Sequence, residues 1–256
     1  MDLKVAFIQF DIAWEDAEAN MAYLDKEIDN ISDDTDLLLL PEMFHCGFSM
    51  SPQNNALCDG GKVLEWMKGV ALSRNMVVMG TVAVASNRSY YNRLYVVKPN
   101  EVVWYDKRHL FTMGNEHLHY QKGTKRIIVE LKGWKICPLI CYDLRFPVWS
   151  RNVNAEYDLL IYLANWPASR AGVWQALLKA RAIENQSYVI GLNRIGHDVA
   201  NAYQGDSLVV NAKGEEELNA MAKQGVYEAV LNKTALLEFR KKFPVLDDGD
   251  DFELSC

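Results

Sequence analysis

The sequence lacks any uninterrupted apolar run approaching the roughly 20 residues needed to span a bilayer, which excludes a membrane-spanning helix. It also lacks an excess of positive charge. With 27 Lys and Arg against 34 Asp and Glu, the formal net charge is -7, so the broad basic surface that neutralises a phosphate backbone is missing and nucleic acid is excluded as a partner. No Gly-, Ser- or Pro-rich linker divides the 256 residues, and a single domain over residues 1–256 is expected. Cysteine is scarce and unpaired in pattern: Cys46, Cys58, Cys137, Cys141 and Cys256 show no C-x-x-C spacing, which argues against disulfides. The five histidines offer no H-x-x-x-H arrangement, and no metal site is expected. Because M-D-L-K-V-A-F-I-Q-F begins directly with a strand pattern and not with a signal peptide, the expected location is the cytoplasm.

What is present is a regular alternation of apolar strands and amphipathic helices, the mark of an α/β layered fold. A strand at Lys4 to Phe10 leads to a helix with Met21, Leu24, Ile28 and Ile31 on one stripe. D-L-L-L-L-P-E, Asp36 to Glu42, then reads as a strand buried on both faces and ending on an acid. A second helix carries Val63, Trp66, Met67 and Val70. After it come a strand at Met76 to Ala85 and a hairpin turning at P-N-E that ends on Lys107. Strands at Arg126 to Leu131 and Trp134 to Ile140 turn at Lys132-Gly133, and the second runs into Cys141. Phe146-Pro147 predicts the start of a helix, since proline is favoured where an N–H has no helical partner. Y-D-L-L-I-Y-L-A-N-W-P repeats the earlier strand pattern, followed by a helix at Val173 to Gln186, a strand at Tyr188 to Asn193 and a last helix at Thr234 to Lys242. The two halves share a strand–helix rhythm without a residue-level repeat.

Three strands thus deliver Glu42, Lys107 and Cys141 at their ends, where open α/β sheets place ligands. The three residue types suit one another. A cysteine nucleophile needs a base for its proton and donors for the oxyanion formed on a carbonyl. Glu42 is the candidate base, Lys107 the cation and the backbone N–H of Tyr142 a second donor. A strand–Cys–Arg–helix loop of the tyrosine-phosphatase kind is the rival reading. That loop needs five residues between Cys and Arg, whereas C-Y-D-L-R has three and places the acidic Asp143 where an anion would sit.

P-E-M-F at Pro41 to Phe44, Y-D-K-R-H-L-F at Tyr105 to Phe111 and L-I-C-Y-D-L-R-F-P at Leu139 to Pro147 together resemble the nitrilase superfamily of carbon–nitrogen hydrolases. The similarity extends through A-N-W-P, A-R-A-I-E-N-Q and the G-D-S segment. Within the family, E-H-L-H-Y and the ending F-R-K-K-F-P resemble the bacterial omega-amidase branch. The resemblance implies a four-layer α-β-β-α sandwich and a catalytic triad of Glu42, Lys107 and Cys141, with Glu116 as a second glutamate that positions the lysine or the substrate amide. It implies an amidase that cuts the omega-amide of small 2-oxo dicarboxylic acid monoamides, such as 2-oxoglutaramate and 2-oxosuccinamate, through a Cys141 thioester and without a cofactor. Another carbon–nitrogen hydrolase activity, that of a carbamoylase or nitrilase, is the alternative inside the fold, and a non-catalytic scaffold the alternative outside it. Such a pocket must grip the distal carboxylate. Arg145 offers the bidentate geometry for it, unless it pairs instead with Asp143. Phe44 and Trp166 either wall the pocket or fill core. Relatives dimerise through the helix after the cysteine, which implies a homodimer contact at Val148 and Trp149.

Overall fold

The computed structural model describes residues 1–250, 252 and 253; Cys256 lies outside the described residues. Its first half comprises β1 (Leu3–Gln9), α1 (Ala17–Ile28), β2 (Leu37–Leu39), α2 (Pro52–Asn55), β3 (Leu57–Cys58), α3 (Gly61–Arg74), β4 (Val77–Ser86), β5 (Ser89–Lys98), β6 (Glu101–Asp106) and the single turn α4 (Glu116–His119). The second half runs through β7 (Val129–Leu131), β8 (Trp134–Ile140), β9 (Leu159–Ala164), α5 (Ala171–Glu184), β10 (Tyr188–Asn193), β11 (Ile195–His197), β12 (Ala202–Gln204), β13 (Leu208–Val210), β14 (Glu216–Asn219), β15 (Gly225–Leu231) and α6 (Lys233–Lys242).

Two sheets form the middle of the molecule, ordered β15-β1-β2-β4-β5-β6, with β3 on β4, and β14-β13-β10-β9-β8-β7. Each is built round a parallel triplet, β1-β2-β4 in one and β8-β9-β10 in the other, extended by antiparallel strands. The near-continuous apolar composition of the triplets follows from burial on both faces. In β1 and β2, Val5, Phe7, Leu37 and Leu39 point to the core shared with the second sheet, while Ala6, Ile8 and Leu38 point to the core shared with α1 and α3. That period of two assigns alternate residues to the two cores. On the opposite side α5 covers the second sheet through Trp174, Leu178 and Ala182, and α6 adds Leu236. Leu178 and Trp174 approach Gly191 of β10 so closely that a Cβ there would lie 2.4 Å from a leucine methyl. The result is the α-β-β-α sandwich.

Two segments differ from the pattern expected of the sequence. Glu42 does not end its strand: β2 stops at Leu39 and the acid sits in the following turn. Nor does a helix open at Phe146-Pro147. A short 3-10 helix spans Cys141–Arg145, and the chain continues through turns. The carbonyls a helix would use are taken by side chains: Arg126 donates to Trp149 O and Arg151 O, Ser150 Oγ to Pro147 O and Tyr157 OH to Ser150 O. Trp149 is buried within its own chain, its Nε1 donating to Tyr105 OH at 3.1 Å, so only Val148 of that pair is exposed.

Candidate active site

Four chain segments converge at one end of the two sheets. Lys107 follows β6 and is wholly buried, with Nζ 2.7 Å from Glu42 Oε1 and 3.0 Å from both carboxylate oxygens of Glu116. Asn92 of β5 bridges the same two acids, its Nδ2 donating to Glu42 Oε1 at 2.8 Å and Glu116 Oε1 at 3.1 Å. Its amide is aimed by Thr81, whose hydroxyl donates to Asn92 Oδ1 while accepting from Met43 N. The other oxygen of Glu42 accepts from Asn165 N at 2.8 Å, and that of Glu116 from Phe111 N at 2.6 Å. Every carboxylate oxygen therefore has a donor, which burial of these charges requires.

Cys141 closes the group. It has φ +40°, a left-handed conformation that costs a β-carbon-bearing residue of order 1–3 kcal/mol and persists only where surroundings impose it. Asp143 imposes it. Its buried carboxylate accepts from Ile140 N (3.0 Å), Tyr105 OH (2.7 Å) and His109 N (3.0 Å), and pairs with His109 Nδ1 at 2.8 Å. The turn bearing the thiol is thus tied to the segment bearing Lys107. Arg145 is not among the partners of Asp143; it lies over the ring of Trp166, 5.0 Å from the centroid.

Burial holds the Cys141 thiol well above its usual range, and the Glu42 carboxylate adds to this both as a charge and as a hydrogen-bond partner, against the pull of Lys107. Burial would lower Lys107, but Glu116, Glu42 and Cys141 outweigh it and hold the ammonium protonated well above its usual range. Burial raises Glu116, and Glu42 adds to this against the attraction of Lys107. A protonated thiol in contact with a carboxylate calls for proton transfer during attack, not a standing thiolate.

Above the thiol is a cavity of about 310 Å³. Cys141, Lys107, Tyr142, Arg145 and Trp166 all line it, whereas Glu42 and Glu116 lie fully buried behind them. Phe44 does not reach the cavity. It packs in the outer core against Trp66, with its ring against Gly80, because the turn after β2 directs Glu42 inward and Phe44 towards α3. Further cavity residues were given no role by the sequence: Phe48, whose ring lies 5.0 Å from Lys107 Nζ, Arg170, and two that sit within quoted motifs, Phe111 and Asn165. Asn92 carried one signal, a lone amide within an apolar strand; a buried polar group there must have partners. Among the described residues no group of His, Cys, Asp and Glu is arranged to hold a metal ion.

A thiol on a strained turn, lining a cavity together with an ammonium that is paired to a buried carboxylate, has the parts for acyl transfer. Carried on two sheets with helices outside, it defines a class of layered α/β proteins equipped for thiol chemistry. The carbon–nitrogen hydrolase family model matches residues 4–218. Omega-amidase YafV of Escherichia coli K12 is 48% identical over 255 residues, 98% of each chain, and the 2-oxoglutaramate amidase of Bacillus subtilis is 33% identical over 253, covering 97% of this chain and 98% of that one. The solved structure of XC1258 from Xanthomonas campestris, a CN-hydrolase superfamily protein with an arsenic adduct in its active site, superposes with a TM-score of 0.97 at 37% identity over the whole of both chains. The chain belongs to the carbon–nitrogen hydrolase family, and is an enzyme of that kind.

Proposed function

We propose that this enzyme is an omega-amidase, releasing ammonia from the terminal amide of short 2-oxo dicarboxylic acid monoamides such as 2-oxoglutaramate and 2-oxosuccinamate. The observation that carries the reading is that Cys141, Lys107 and Arg145 line one cavity, with Glu42 bound to Lys107 Nζ at 2.7 Å and to the N–H of Asn165, whose carbonyl lies 3.9 Å from Cys141 Sγ. The relatives named omega-amidase and 2-oxoglutaramate amidase support the substrate class.

Cys141 passes its proton to Glu42 as Sγ bonds to the amide carbon. The oxyanion is held by Lys107 Nζ and by the N–H of Tyr142, in the first turn of the short helix where N–H groups have no helical acceptor. Collapse breaks the C–N bond, and Glu42 returns the proton to the departing nitrogen, leaving ammonia and a thioester. Water then gives a proton to Glu42 and its oxygen to the acyl carbon. The C–S bond breaks, the thiol recovers its proton and the acid leaves. Glu116 holds Lys107 together with Glu42, Trp166 walls the cavity, and Arg145 takes the distal carboxylate. No step needs a cofactor.

The reading also takes the enzyme to be cytoplasmic and homodimeric. The four described thiols are unpaired, as a reducing compartment keeps them, and Val148 and Ile183 offer exposed apolar surface.

Ammonia release from 2-oxoglutaramate and 2-oxosuccinamate, measured beside simple amides, nitriles and N-carbamoyl compounds, tests the substrate class. Cys141→Ala should lower kcat by at least about a thousandfold. Full activity in that variant would remove the thioester route, and a wild-type preference for nitriles or carbamoyl compounds would replace the omega-amidase reading with its alternative.

A further inference from the structure

Two guanidinium groups line the cavity, those of Arg145 and Arg170. Arg170 lies at the end of a 3-10 turn between β9 and α5, on the wall that also carries Trp166. Its guanidinium sits over the ring of Phe111 at 5.3 Å, as that of Arg145 sits over Trp166 at 5.0 Å. Trp166 connects the two arginines, since its ring underlies Arg145 and its Nε1 donates to Arg170 O at 2.9 Å. Among the described residues, neither guanidinium has an ion pair or a side-chain hydrogen bond within the chain. The one cavity carboxylate, Asp198, accepts instead from Ala200 N, Asn201 N and Tyr203 OH. Two half-buried cations laid on aromatic faces without a counter-ion, in a protein of net charge -7, leave a local surplus of donors for an anion.

The number of donors says which anion. A single guanidinium presents a two-pronged fork, enough for the two oxygens of a carboxylate. A 2-oxo acid presents a third acceptor, the ketone oxygen, beside them. Resting on the omega-amidase reading, we infer that Arg170 is a specificity-determining residue, completing with Arg145 a two-arginine clamp for the adjoining carboxylate and 2-oxo group. The clamp also excludes the 2-amino analogue: glutamine would bring its ammonium against two guanidinium groups, a like-charge contact that disfavours the wrong ligand.

The test compares kcat/KM for 2-oxoglutaramate, glutamine and pentanamide, a neutral amide of equal chain length, in wild type, Arg170→Ala and Arg170→Lys, with melting temperature to monitor folding. Loss of a charged hydrogen-bonding partner should lower the preference for 2-oxoglutaramate over pentanamide about ten- to a hundredfold in Arg170→Ala, mostly through KM. The preference over glutamine should fall in the same direction, and Arg170→Lys should recover part of both. If wild type prefers 2-oxoglutaramate and Arg170→Ala keeps that preference, the clamp is wrong while the omega-amidase reading stands. If wild type shows no preference for the 2-oxo acid, both fall together.

Discussion

Lys107 is the residue on which the site's electrostatics turn, because it is the single cation between two buried carboxylates. Asn92 keeps that arrangement aligned without carrying charge, contributing one amide to both acids. Asn92→Ala should therefore lower kcat for ammonia release about ten- to a hundredfold, the value of a hydrogen bond to a charged group, while KM changes less, since the residue does not line the cavity. Steady-state kinetics on 2-oxoglutaramate would check this, and an effect confined to KM would assign Asn92 to binding instead. At this scale the sequence was uneven in what it disclosed. Glu42, Lys107 and Cys141 were legible because each follows a recognisable strand and carries chemistry rare in that position. Asn92 and Asn165 were not, because their roles depend on which strands lie side by side, and Phe44 stayed open between pocket wall and core because two residues in a tight turn point to opposite sides of a sheet.

The element that presents Glu42 is the turn from Pro41 to Gly47. It is held by Met43 N donating to Thr81 Oγ1, Gly47 N to Met43 O and Asn20 Nδ2 to His45 O. His45 is buried in it, its Nε2 3.3 Å from Asn55 O, and burial drives its pKa down to about 4 despite that bond. The unfolded chain protonates near 6.5, so in the window from 6.5 to 4 it binds protons that the fold does not, and stability is lost as pH falls. Between pH 7 and 5 the wild type should lose about 2 kcal/mol more than His45→Gln, read from urea midpoints. Equal losses would show that this histidine does not govern the turn. Elements such as β8, β10 and α6 were readable because an apolar run or a helical period persists over six residues or more. The segment after Cys141 was not, since its form is set by Arg126, Tyr157 and Asp143 from elsewhere in the chain or from within the turn, and a proline's local preference yields to them.

At the scale of the molecule, the layers follow from composition and period, but the pairing of β15 with β1 joins residues more than 200 positions apart and is set by the common core. That core also encloses thiols. Cys141 and Cys46 are held well above the ordinary range and Cys137 is pushed up to about 12, in each case chiefly by burial. In the unfolded chain these thiols ionise near 8.5. Above that pH the unfolded state sheds protons that the fold retains, so stability falls as pH rises, each thiol costing about 2 kcal/mol between pH 8 and 10. Buried tyrosines such as Tyr105 and Tyr157, also raised by burial, act in the same direction, but their unfolded range begins near 10, so the lower window reports mainly thiols. Wild type should therefore show a urea midpoint that declines steeply from pH 8 to 10, and Cys46→Ala/Cys137→Ala should retain Cys141's share alone, with a visibly shallower decline whatever its stability at neutral pH. Parallel declines would place the alkaline sensitivity elsewhere, and a shallower one would show that the layer enclosing Cys141 is kept intact in part by the protons on Cys46 and Cys137.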